Sequence, residues 1–203
     1  MSAEELRRIV REMLLELDDR AHGRVINRII DLAARNASDW AIFGPSRDAV
    51  SRIVVFAEAA KRAGHADPSE IDEYLQQGTN AFLARDYVSA PAIFGALLPP
   101  IGDADIYLGQ DEMVEEVLGT DVSECAARHV VSIYMTTAPD QRVKAVREAI
   151  DEMASVGHFW EPLREMEQVA VEPLTDLDGF LPEWRALIEE SAPTGRRSDW
   201  SSG

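Results

Sequence analysis

Cys125 and His129 lie four residues apart with Asp121 one turn earlier, so a helix through this stretch sets a thiol, an imidazole and a carboxylate on one face. Such a trio is the beginning of a metal site. Zinc takes three or four protein ligands, and the remaining histidines, His22, His65 and His158, form no second cluster that could complete the sphere. The trio therefore reads as a core thiol beside a satisfied imidazole, and no metal is expected. With one cysteine in the chain, an internal disulfide and a multi-thiolate site are excluded. Asp103 and Asp105 have the look of a calcium loop, but the glycine and terminal glutamate of such a loop are not at the required offsets. His158 to Glu161 places Phe159 and Trp160 beside an acid, and these aromatics read as anchors for the helix that follows. Phosphate loops, dinucleotide fingerprints, H-E-x-x-H and G-x-S-x-G are all missing. The sequence thus nominates no catalytic, cofactor-binding or metal-binding residue, and an enzyme is unsupported.

The elements that would position these groups are helical almost throughout. Residues 3–20 carry Leu6, Ile9, Val10, Met13, Leu14 and Leu17 on one stripe, and Gly23 separates them from a second helix over 25–36. Residues 37–45, with Trp40 and Phe43, read as a loop whose aromatics plug the core. Ser46 caps a third helix running to Gly64, apolar on several sides and so expected to be buried. Residues 99–110 read as irregular, 111–118 as a short acidic helix closed by Gly119, and 121–137 as a helix opened by Asp121 and Glu124. Pro139 starts the next, ending before Gly157, and two shorter helices follow over 161–168 and 182–190. Strand signals are nearly absent, and residues 192–203 are a polar tail expected to be disordered.

Residues 69–98 form the most informative unit. Ile71, Tyr74, Leu75, Gly78, Ala81 and Phe82 share one face of a helix opened by Ser69 and Asp72. Asp86 caps a second helix with the stripe Ala90, Phe94 and Leu97, and Pro99-Pro100 should end it. This hairpin resembles one tetratricopeptide repeat over about residues 71–100: Tyr74 and Gly78 in the first helix, Asp86-Tyr87 at the turn, Ala90 and Phe94 in the second. Arg85 departs from the family at a turn position that is usually glycine, Gln77 replaces an apolar residue, and Pro91 sits inside the second helix. Steps of about 34 residues in either direction find no second copy. The resemblance implies Gly78 and Ala90 facing each other at the helix crossing, and a module that binds other proteins.

Charge narrows the partners. Residues 1–65 hold 11 Lys/Arg against 10 Asp/Glu, a net of +1, whereas 66–203 hold 9 against 27, a net of −18. From Asp86 to Ala127 there are nine acids and no base. Nucleic acid and anionic membrane need clustered cations, so both are excluded as partners. No apolar run approaches the ~20 residues of a bilayer span, and the first ten residues lack the apolar region of a signal peptide.

These observations lead to an all-α fold of antiparallel helical hairpins, tetratricopeptide-like or an irregular α-solenoid, of about nine or ten helices. Residues 1–191 form one domain, with a charge-balanced part to residue 65 and an acidic repeat-like part beyond it. The expected function is non-catalytic: a cytoplasmic protein-interaction or scaffolding module for a protein or peptide, with a basic one favoured. Asp111, Glu112, Glu115 and Glu116 are the expected partner-binding residues. An enzyme without a recognisable motif and an accessory subunit working with another chain are the alternatives.

Overall fold

Side-chain oxygens cap the start of three of the helices. The computed structural model describes residues 3–15, 17, 21, 25, 29, 44–109, 114–157 and 159–191. Every named element among them is helical: α1 (Ala3–Leu15), α2 (Arg47–Ala63), α3 (Pro68–Leu83), α4 (Ser89–Gly102), α5 (Val114–Val117), α6 (Val122–Thr136), α7 (Pro139–Glu152), α8 (Pro162–Val169) and α9 (Leu177–Ser191). Of the expected helix over 25–36 only Val25 and Ile29 are described, both helical; the aromatic plug at Trp40 and Phe43 and the tail 192–203 lie outside the described residues. Among the described residues no helix is long and apolar enough to cross a membrane.

Ser46 and Asp121 cap α2 and α6 as expected, accepting from the amides of Ala49 and Glu124 at 3.2 and 2.9 Å. The start of α3 differs from expectation. Asp67, not Ser69, is the cap, accepting from Ser69 N at 2.9 Å, because Pro68 fits the first helical position and moves the cap two residues upstream. Pro91 likewise falls in the first turn of α4, where an amide hydrogen has no helical acceptor to lose.

Pro99 and Pro100 do not end α4, which continues to Gly102. A proline removes the amide that would serve the carbonyl four residues back. Those carbonyls belong to Gly95 and Ala96, which are only half-buried, while Leu97, Leu98 and Ile101 are buried and hold the last turn against the core. The segment beyond α4 returns to α2. Tyr107 exchanges backbone hydrogen bonds with Gly64 and Ala66, and Lys61 pairs with Asp105 at 2.9 Å. That ion pair engages Asp105.

α4 is the hub. It packs against α2, α3 and α6, and α6 in turn packs against α3, α7 and α8, with α9 laid on α7. α2 is buried on one face only: Ile53, Ala57 and Ala60 face inward, but Val55 is 66% exposed, correcting the expectation of burial on several sides. The helix expected over 182–190 begins earlier, at Leu177, with Pro182 inside it. Phe180 secures that extra turn by packing edge-on against Tyr134 and stacking on Trp184.

The α3–α4 hairpin forms, and Phe82 and Phe94 are fully buried within it. Its close contact differs from the expected one. Gly78 faces Phe94 and Ile93 rather than Ala90: a Cβ on Gly78 would lie 2.7 Å from Phe94 Cε1 and 3.1 Å from Ile93 Cγ2. Arg85 holds a left-handed φ of 62°, the reason glycine is favoured there. Around it, Asp86 N donates to Ala81 O and Arg85 N to Phe82 O, both at 2.9 Å, closing a Schellman turn.

Candidate functional site

Neighbouring side chains on a helix point about 100° apart, so Arg128 and His129 leave α6 toward different faces. Each reaches a separate cleft.

The first cleft, of about 770 Å³, lies between α3, α6 and α8. Gln76 and Thr79 come from α3, Ser123, Glu124 and Arg128 from α6, and Glu165 and Gln168 from α8. Its edge at Gly119 and Thr120 is fixed by Asp72, whose two carboxylate oxygens accept from these amides at 2.8 and 2.9 Å. Arg128 is only 3% exposed. Its Nη1 donates to Thr79 Oγ1 at 3.2 Å, its Nη2 stands 3.2 Å from Glu124 Oε1, and its guanidinium carbon lies 6.0 Å from the centre of the Phe82 ring. A buried guanidinium held by a neighbouring carboxylate, a hydroxyl and an aromatic ring is a fixed part of the wall. Among the described residues three carboxylates line this cleft: exposed Asp121 and half-buried Glu124 and Glu165. Glu165 Oε1 accepts from the amides of Trp160 and Glu161 at 3.0 and 3.2 Å, which starts α8. The same turn sends Trp160 into solvent, 87% exposed, so it does not anchor α8 as the sequence suggests; half-buried Phe159 lines the cleft beside it.

The second cleft, of about 610 Å³, is a trough between α4 and α7, floored by α6. Pro91, Ala92 and Gly95 form one wall and Ala145 and Ala149 the other, with Glu148 and Glu152 on the rim. His129 lies in the floor, 3% exposed, and neither of its ring nitrogens has a hydrogen-bond partner. Its Nε2 stands 3.6 Å from Glu152 Oε2, beyond hydrogen-bonding length but close enough for the imidazole to hold the Glu152 carboxyl below its ordinary range. Leaving buried polar atoms unsatisfied costs on the order of 1–3 kcal/mol each.

The candidate metal trio is dispersed by the fold. Asp121 spends an oxygen on the α6 cap, Cys125 meets Thr79 at 3.9 Å, and His129 turns toward α7. Burial pushes the Cys125 thiol up to about 12, far from thiolate chemistry. Among the described residues no three His, Cys, Asp or Glu are grouped as a metal would need. Asp111 and Glu112 lie outside the described residues, as do the side chains of Glu115 and Glu116, whose backbone belongs to α5. Sequence reasoning missed Asp72, Arg128, Glu165 and Trp160. Three helices remote in sequence bring the first three together, and nothing local in their spacing signals it. Comparison with protein-family models, with curated proteins and with solved structures finds no significant match.

Proposed function

We propose that the chain is a non-catalytic binding module whose α3–α6–α8 cleft receives a cationic segment of a partner protein. The carrying observation is the charge of that cleft: Asp121, Glu124 and Glu165 line it, and Arg128, the one cation in the lining among the described residues, is already engaged by Glu124 and Thr79. A Lys or Arg entering the cleft would meet a net negative field inside low-dielectric walls. Trp160 supports the same reading, since an exposed indole beside such a cleft suits stacking with a cation and is a common anchor in interfaces.

The tetratricopeptide-like reading is consistent with this placement. The first helix of the α3–α4 hairpin and the first helix of the α6–α7 hairpin both contribute to the cleft, and α8 adds the third wall. Stacked hairpins of this kind present their first helices on a shared binding face. The net charge of −17 further favours a basic partner, whose encounter would be accelerated at low ionic strength.

The test is fluorescence anisotropy with labelled peptides of matched length that are Lys/Arg-rich, uncharged or Glu-rich. The cationic set should bind, more weakly as salt rises, and the Asp121→Asn/Glu165→Gln double variant should bind it less well. Both substitutions keep the oxygen acceptors that cap α6 and α8. Equal binding of all three sets, or no effect of the double variant, would contradict the proposal.

A further inference from the structure

We propose that the trough between α4 and α7 is a second binding site, taking a primary ammonium group on an aliphatic chain. Its walls suit the chain. Pro91, Ala92, Ala145 and Ala149 leave an open channel whose sides are carbon. Its polar groups suit the ammonium. Among the described residues no Lys or Arg lines the trough, and Glu148 and Glu152 stand one helical turn apart on its rim. Glu148 also pairs with Lys144 at 3.7 Å, both largely exposed, so Glu152 is the firmer of the two acceptors.

The floor supplies the observation that points to a ligand. His129 is 97% buried with two nitrogens lacking hydrogen-bond partners, and a neutral imidazole offers one of them as an acceptor. Glu152, 48% exposed, has its Oε2 3.6 Å from Nε2, so a carboxylate and the ring stand together in the trough. Gly95 keeps the ring edge clear, since a Cβ there would come within 3.3 Å of both His129 Cε1 and Glu152 Oε1. The Gly95 carbonyl also lacks its helical donor, because residue 99 is proline. A carboxylate, an imidazole nitrogen and an underused carbonyl are all acceptors, and an ammonium has three donors and no acceptor. An anionic ligand would meet the carboxylates of Glu148 and Glu152, with only the single imidazole N–H of His129 to donate to it.

This ammonium chemistry could come from a free alkylamine or from a lysine side chain of a polypeptide. The experiment follows the ring resonances of His129 and the amide of Gly95 by NMR in the full chain. The probes are n-butylammonium, Nα-acetyl-lysine methylamide and, as a neutral control, n-butanol. Saturable shifts at both positions with either cation support the site, and the tighter-binding cation identifies its source. Glu152→Gln, at an exposed position, should weaken binding about tenfold or more, and Ala92→Leu, which fills the channel, should abolish it. Absence of saturable shifts, an equal response to n-butanol, or unchanged affinity in both variants would overturn the proposal.

Discussion

The Phe94 ring occupies the space that a side chain on Gly78 would fill, its Cε1 lying 2.7 Å from where the Cβ would be. Two helices approach there because one carries no side chain at the crossing. The contact ties α3 to the hub helix α4, which in turn packs on α6 and forms one wall of the α4–α7 trough.

Gly78→Ala should therefore destabilise the fold by about 1–3 kcal/mol despite improving helix propensity, because Phe94 and Ile93 are themselves fully buried. Phe94→Leu added to Gly78→Ala should recover part of that loss, giving a coupling energy in a double-mutant cycle on denaturant unfolding. Additive effects of the two substitutions would mean that the contact is not made.

Asp86 starts α4 and ties acid stability to this hairpin. Burial pushes its carboxyl up, but hydrogen bonds from the Ser89 hydroxyl and amide and from Val88 N outweigh this and leave it below the usual value of 3.8. A carboxyl whose folded pKa is lowered stabilises the fold above its unfolded pKa and loses that contribution as pH falls through the folded one. Asp86→Ala should cost about 1 kcal/mol at neutral pH. The difference from the parent protein should shrink steadily as pH drops below 3.8. A gap that stays constant down to acid pH would show that the cap does not depend on ionisation.

Arg85 holds its left-handed φ of 62° without a glycine's freedom. Its ion pair with Glu172, at 3.6 Å and with Arg85 60% exposed, offsets little of that strain. Arg85→Gly should leave the melting temperature unchanged or slightly raised, since relief of strain is balanced by the entropy of a freer unfolded chain. Arg85→Val should lower stability by about 1–3 kcal/mol, because a branched side chain tolerates this backbone region poorly. Equal stability of the Gly and Val variants would contradict the Schellman turn.

What the sequence makes legible here is local. Ser46 and Asp121 cap helices as read, and Asp86 accepts from the amides of Val88 and Ser89 just ahead of α4, because such a bond needs only a side-chain oxygen two or three residues from its amide. Periodicity likewise finds the helices and the buried faces of α3 and α4. The proline pair 99–100 misleads because its local cost is overridden by burial of Leu97, Leu98 and Ile101. The tetratricopeptide resemblance implies that Gly78 meets Ala90, but the nearest side chains to Gly78 at the crossing are Phe94 and Ile93. Neither cleft can be read from spacing. Thr79 meets Arg128 across 49 residues, and Gly95 meets His129 across a helix interface that no short motif encodes.

The central claim is that a cationic segment enters the α3–α6–α8 cleft, and backbone amide mapping tests it most directly. Titration of a Lys/Arg-rich peptide into isotopically labelled protein should shift the amides of Thr79, Thr120, Ser123 and Gln168, with the Trp160 indole among the most affected. The Asp121→Asn/Glu165→Gln variant should show the same pattern only at higher peptide concentration. Shifts confined to Pro91–Gly95 and Ala145–Glu152, or spread evenly over the acidic surface, would contradict the cleft as the site of recognition.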